Sequence, residues 1–279
     1  EGTLALITAA TIKIFKKPKA SISCFIKVKD IDKSIETLHM LQSLVGNNIE
    51  AFEIMSKPIL EIVHKQFPAL TKPFPVIPEL SLLVEFTTTS ELDLHIDDTG
   101  ETVFQNKIIN VMSHLIEHHL IDDAIISQSD HQNKELWEIR ENANIAQMQE
   151  GFQLKLDLSI PIENMSKFWI ETSEELKKKH TEVKICSFGH LGDGNLHFNV
   201  FPEAGKTKDH YSSQREIIES LVHELTVELE GSISAEHGIG RSKVNDLIKY
   251  SSPVKLHLMK KLKNIFDPNG IMNPGVIIK

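Results

Sequence analysis

The stretch Ser187-Phe188-Gly189-His190-Leu191-Gly192-Asp193-Gly194-Asn195-Leu196-His197-Phe198-Asn199-Val200 joins an apolar run, a glycine-rich turn and a second run of alternating apolar and polar residues. Asp-Gly and Gly-Asn pairs between two such runs predict a β-hairpin with Gly192 to Asn195 as its loop. In that register Leu191 faces Leu196 and His190 faces His197. Side chains opposite each other in an antiparallel pair have Cβ atoms about 4.5–5.5 Å apart, which lets two imidazoles converge on one ion. Asn199 falls on the same face by alternation. Further on, Ser234-Ala235-Glu236-His237-Gly238-Ile239-Gly240 sets a carboxylate and an imidazole beside two glycines. Glu236 is the candidate third ligand, so the candidate metal set is His190, His197 and Glu236. The alternative is that these are ordinary solvated or hydrogen-bonded histidines, since some of the 14 in the chain will fall close together by chance.

Working outward from the hairpin, Phe152 to Ile160 reads as a strand, Ile162 to Lys179 as a helix, and Glu182 to Phe188 with Leu196 to Val200 as the hairpin strands. Tyr211 to Leu229 reads as a long amphipathic helix and Ser232 to Ser234 as a last short strand. The preceding half has the same order. Ala20 to Val28 is a strand, and behind it Ile31, Ile35, Leu38, Leu41 and Leu44 recur at helical spacing after Asp30, a capping residue. Glu50 to Met55 is a short strand, Pro58 to Gln66 an extra short helix and Leu80 to Thr87 a strand. A helix from Thr102 to Leu120 and a strand from Ala124 to Gln128 complete it. Two successive β-α-β-β-α-β units predict an α+β fold. In it, two ferredoxin-like halves form an antiparallel sheet with helices on one face, and a helical C-terminal tail follows. A helix from His131 to Gln149 separates the halves. Leu4 to Ile14 reads as a strand or connector, and the tail runs as a helix from Arg241 to Phe266 before turn residues at Asp267 to Gly275. The expected division is residues 1–18, 19–240 and 241–279.

A chain of 279 residues has ample material for a core, and its formal charge of −9 argues against a nucleic-acid binder, whose footprint would be basic. Cys24 and Cys186 stand far apart without a Cys-x-x-Cys spacing, which predicts free thiols in a reducing compartment. No apolar run reaches the ~20 residues that span a bilayer. The chain opens on Glu1 rather than methionine and is expected to be part of something longer.

Two more groups carry chemistry. Lys155, Asp157 and Ser159 form the polar row of a strand whose other row is Leu154, Leu156, Leu158 and Ile160. Lys155 either projects a cation into a cleft or lies on an ordinary half-exposed face. Arg140 and Asn144 stand one helical turn apart, and Arg140 either grips a carboxylate with paired hydrogen bonds or pairs with a neighbouring glutamate. His114-Leu115-Ile116-Glu117-His118 fits an inverted zinc-protease pattern, but reads better as the polar face of an amphipathic helix. There is no Gly-x-Gly-x-x-Gly after a strand and no Walker loop.

The segments Gly189 to His197, Ser234 to Gly240 and Asp267 to Gly275, in that order, resemble the C-terminal half of the FAD-linked D-2-hydroxyacid dehydrogenases of the vanillyl-alcohol-oxidase superfamily. The likeness spans the whole chain. Glu1-Gly2-Thr3-Leu4 resembles the last flavin-contacting motif of that family's N-terminal domain, with Ala5 where glycine is usual. The resemblance implies that His190, His197 and Glu236 hold Zn2+ or another divalent ion on the substrate's 2-hydroxyl and 1-carboxylate, with His237 as base. It implies substrate contacts from Arg140, Asn144, Lys155 and Asn199, although threonine is usual at the position of Asn144. Glu1, Gly2 and Asn273 would touch FAD, most of which would be bound by an N-terminal domain not contained in these residues. The wording around the hairpin is most similar to the 2-hydroxyglutarate branch of the family, and two cations suit a second carboxylate. D-lactate and glycolate branches are the alternatives. Taken alone, the chain is expected to bind substrate and metal without turning over.

The partners implied are a small 2-hydroxyacid and an electron acceptor after the flavin, with no nucleic acid and no membrane span; a homodimer is left open. The implied location is bacterial cytoplasm or mitochondrial matrix. A non-catalytic small-molecule-binding module competes with the enzyme, and continuation of the gene upstream into a flavin domain decides between them. A metallohydrolase using the same three ligands is third.

Overall fold

The structure, a computed structural model, describes residues 1–180, 183–202 and 214–278. The chain parts into two compact units, one from Lys16–Ile233 and the other from Glu1–Phe15 with the residues from Ser234 onward. Residues 234–240, read from sequence with the substrate domain, thus group with the tail.

The larger unit is built on seven strands: β1 Ala20–Val28, β2 Ile49–Ser56, β3 Leu80–Thr88, β4 Asp123–Ile126, β5 Asp157–Ser159, β6 Val183–His190 and β7 Asn195–Pro202. They form one sheet in the order β4-β1-β3-β2-β6-β7-β5, antiparallel at every step. The first four strands have the order of a ferredoxin-like half. The last three repeat it from the other side, and Ser232 bridges Ser159 where a fourth strand would lie. The join is the pairing of β2 with β6, Glu53 opposite His190 and Met55 opposite Phe188. The duplicated halves and their single antiparallel sheet are as the sequence predicts.

The helices are α1 Ile31–Val45, α2 Lys57–Gln66, α3 Val103–Glu117, α4 Asp130–Glu141, α5 Ala143–Glu150, α6 Ile162–Lys179 and α7 Arg215–Glu228. Asp30 caps α1 by accepting the Lys33 N–H at 2.9 Å, as its position before the apolar periodicity predicts. One face of the sheet, carrying Ile22, Cys24, Ile26 and Phe198, packs on Leu41 of α1, Phe104 of α3, Phe168 of α6 and Val222 of α7. These four are the crossover helices expected on one face. The other face is covered as well. Phe25, Leu83 and Phe188, the alternate residues of their strands, pack with Ile59 and Val63 of α2, Ile139 of α4 and Ala146 of α5. A strand buried on both sides reads as a continuous apolar run, and β1 and β3 do so. The second layer is the part of the architecture that the one-sided pattern did not anticipate.

Several expected elements differ. The helix from His131 to Gln149 is two helices, because Asn142 turns its side-chain amide onto the Glu138 carbonyl at 2.8 Å and competes with the backbone ladder. The strand from Phe152 to Ile160 shrinks to β5 with a bridge between Leu154 and Val200, and Ser232 to Ser234 to the one bridge at Ser232. Leu4 to Ile14 forms no strand, and Leu6, Ile7, Ile12 and Ile14 are exposed. Of the hairpin and helix read from sequence, Glu182 and Tyr211 to Ser213 lie outside the described residues. No helix among the described residues is long and apolar enough to cross a membrane.

In the smaller unit the expected tail helix is interrupted at Ser251 and Ser252, giving α8 Val244–Tyr250 and α9 Pro253–Phe266. Ser252 caps α9 and Pro253 occupies its first turn, where a missing N–H costs nothing. Lys263 donates to the carbonyls of Thr3 and Met272 at 2.7 and 2.6 Å and pairs with Asp267, which accepts the N–H groups of Ile271 and Met272. The Lys263 ammonium holds the Asp267 carboxyl below the usual carboxylate range, the two N–H groups acting the same way and burial acting against them. A depressed carboxyl stabilises the fold above its unfolded value, near about 3.9, and that support is lost as pH falls through the folded value. Exchange of the Ile271 and Met272 amides is therefore expected to lose protection below about pH 4. Lys263→Met should remove most of that acid-specific step, as read by hydrogen exchange at a series of pH values.

Candidate metal and substrate site

The sequence places His190 and His197 opposite each other; the structure does not. The last β6–β7 pair is Phe188 with His197, and His190 faces Glu53 of β2 instead. The reason lies in the turn. Leu191 is fully buried in the core, so Leu191–Asp193 winds into a 3-10 turn that closes at Gly194 (φ +69°) through an N–H bond to the Leu191 carbonyl. The loop takes up residues that a two-strand register would have paired. The displacement relative to the expected register is two residues, and an even shift leaves every side chain on its original face. His190 and His197 are accordingly diagonal neighbours with ring centroids 6.2 Å apart.

Around them the sheet face is polar where the rest is apolar. Glu53 is buried and has a partner on each side: the Nδ1 of His190 and, at 2.7 Å, the Nε–H of Arg140 from α4. The Arg140 guanidinium also lies over the Phe188 ring at 4.8 Å, and that ring stands 4.9 Å from His197. Among the described residues Glu53 is the only hydrogen-bond partner of the Arg140 side chain, which leaves its terminal nitrogens to donate elsewhere. His197 pairs in register with Asp157, whose buried carboxylate lies 3.6 Å from its Nδ1, longer than a hydrogen bond. Glu53 and the burial of Asp157 escaped the sequence reading. The signal for Glu53 was a lone acid in the apolar strand Ala51 to Met55, which only a buried partner makes affordable.

The remaining candidates divide. Asn199 is buried and uses its amide inside the protein, accepting from the Leu156 N–H at 3.2 Å and donating to Gln147 at 2.8 Å. That makes it a tie between β7 and α5. Asn144 is exposed at the start of α5, and Lys155 is exposed with no charged partner among the described residues. Glu236 and His237 are exposed residues of the smaller unit. There, Glu1, Gly2 and Asn273 come together: Asn273 donates to the Glu1 carbonyl at 2.8 Å, and the Glu1 carboxylate accepts from Ile239 and Gly240, each at 2.7 Å. The His114 and His118 rings lie with centroids 4.2 Å apart, tilted by 56°, near the end of α3, but no three metal-capable side chains gather there among the described residues. A cleft of about 920 Å3 lies at the far end of β6 beside Trp169 and Phe201, and none of the candidate site residues is among the described residues that line it.

The donor set suits a divalent ion. A carboxylate on Nδ1 fixes that nitrogen as the protonated one and makes Nε2 the lone-pair atom, the usual second-sphere arrangement of a metal-ligating imidazole. His190 has this arrangement through Glu53.

Residues 17–277 match the family described as FAD linked oxidases, C-terminal domain, and the chain belongs to that family. Among curated relatives, the D-2-hydroxyglutarate dehydrogenase of Stutzerimonas stutzeri (strain A1501) is 31% identical over 280 residues, covering 99% of this chain and 56% of the relative. The mitochondrial D-2-hydroxyglutarate dehydrogenase of Rattus norvegicus is 33% identical over 282 residues, covering 98% and 48%. The chain thus spans about half the length of the curated relatives it matches. Among solved structures, p-cresol methylhydroxylase with substrate bound shares the fold, with a TM-score of 0.63 at 13% identity over 94% of this chain and 54% of that one.

Proposed function

We propose that this chain is the substrate- and metal-binding part of a flavin-dependent dehydrogenase that oxidises a D-2-hydroxyacid, D-2-hydroxyglutarate in the first place, to the 2-oxoacid. The observation that carries the reading is the pair of imidazoles on one sheet face, one of them fixed through Nδ1 by a buried carboxylate, beside an arginine with terminal nitrogens to spare. The relatives named for D-2-hydroxyglutarate support the substrate. His190, His197 and Glu236 would hold zinc or another divalent ion, Glu236 entering the set on the strength of the family resemblance. When bound, such an ion supplies Lewis acidity toward the substrate hydroxyl, and FAD supplies the hydride acceptor.

In this reading His237 takes the hydroxyl proton. Arg140 and Lys155 bind the far carboxylate, Arg140 through its terminal N–H groups while Nε stays on Glu53. Asn144 would offer its exposed amide to the substrate. Asn199 acts through the backbone it ties, holding β7 and so His197 in place. Glu1, Gly2 and Asn273, gathered in the smaller unit, would meet the flavin. Because the relatives include bacterial and mitochondrial proteins, bacterial cytoplasm or mitochondrial matrix is the proposed location.

The test uses the purified chain and zinc alone, followed by substrate. About one equivalent of zinc is expected in the parent and none in His190→Ala or Glu236→Ala. The zinc-loaded chain should then bind D-2-hydroxyglutarate at least about tenfold more tightly than D-lactate, because the second carboxylate gains a charge-assisted hydrogen bond. Equal zinc in parent and variants would overturn the ligand set; equal affinity for the two acids would overturn the substrate.

A further inference from the structure

We infer that Glu53 is a positioning residue that links the arginine of the site to its metal-binding histidine. The inference rests on the reading of His190 as a metal ligand. Glu53 and His190 are register partners at the one seam between the two ferredoxin-like halves, so their side chains stand next to each other on the same face. Only 2% of Glu53 is exposed, and an ionised carboxylate taken out of water needs partners on both oxygens. It has them. Oε1 meets the Nδ1 of His190 and Oε2 accepts the Nε–H of Arg140, so one anion serves two groups brought from β6 and α4.

Each contact does something different. On the histidine, a carboxylate acceptor holds the proton on Nδ1, keeps the ring in one orientation and leaves the Nε2 lone pair for the ion. On the arginine, the single bond to Nε fixes the plane of the guanidinium, and the Phe188 ring below it limits rotation. Asp157 cannot substitute for this on the other histidine, since its oxygen is 3.6 Å from His197 Nδ1. The alternative is that Glu53 merely neutralises a buried arginine and that its contact with His190 is incidental.

Zinc affinity, measured by competition with a chromophoric chelator, and thermal stability separate the two. Glu53→Gln retains the shape but loses the charge, and should weaken zinc by about 10–100-fold. Because that variant leaves Arg140 underpaired and can fail to fold, the deciding protein is Glu53→Met with Arg140→Met, which removes both buried charges and should melt close to the parent. Parent-like melting with zinc weakened by about 10–100-fold is the expected result. Parent-like melting with parent-like zinc affinity would overturn the inference and leave Glu53 as a neutralising partner. His190→Ala in the same assay tells the two failures apart: if it too binds zinc as the parent does, the ligand reading has failed first.

Discussion

Arg140→Ala is expected to cost about 3–5 kcal/mol of stability, enough to remove much of the folded population of an ordinary domain at physiological temperature. The guanidinium and the Glu53 carboxylate are 9% and 2% exposed, and their contact is 2.7 Å. Removing one member strands the other charge in a low-dielectric interior, and the desolvation cost of the orphan dominates over the lost attraction. The stacking on Phe188 goes with it. The exposed pair Lys184–Glu61, at 3.3 Å with both side chains more than 40% accessible, provides the contrast. Lys184→Ala should cost less than about 1 kcal/mol, because water already screens that pair and the side chains lose entropy to form it. Urea unfolding of both variants checks the difference, and near-equal costs would mean that the Arg140–Glu53 pair is hydrated.

Gly194→Ala should be the most damaging change in the hairpin itself. Gly194 has φ +69°, and a Cβ there would lie 2.2 Å from the carbonyl oxygen of Ile160, a backbone atom that cannot swing away. Ile160 is also bonded to Gly194 through its own N–H at 2.8 Å, so relieving the overlap breaks the contact that seats the turn on the strand beside it. The left-handed conformation costs an L-residue about 1–2 kcal/mol, and forcing an extra atom into packed surroundings about 1–3 more. Gly240→Ala isolates the first of these, since Gly240 has φ +56° and nothing within 4 Å of the new atom. It should lose only about 1 kcal/mol. Because the turn sets the spacing of His190 and His197, Gly194→Ala should also weaken zinc, whereas Gly240→Ala gives the strain without touching that spacing. Both effects can be read from one set of thermal melts with and without zinc.

What the sequence determined by itself was whatever depends on local periodicity. The apolar runs Ala20 to Val28 and Leu80 to Thr87, the helical spacing behind Asp30 and the repetition of the β-α-β-β-α-β order sufficed for the duplicated halves and the sheet. The two hairpin histidines were also legible as a same-face pair, because face parity survives an even register shift. Tertiary structure decided the rest. Burial of Leu191 lengthened the turn and moved His190 from His197 to Glu53, a choice made by core packing at the residue next to His190 and not by the hairpin sequence pattern. Glu53 and Arg140 are 87 residues apart, and their pairing depends on α4 crossing the second face of the sheet, for which the chain carries no periodic signal. Alternation set Asn199 on the face of the two histidines, but the hydrogen bonds of its amide to the Leu156 N–H and to Gln147 were not legible, since alternation tells which face a side chain shares but not what covers that face. Periodicity is a property of neighbours along the chain, whereas the partner of a buried charge is set by desolvation, which only the assembled layers impose.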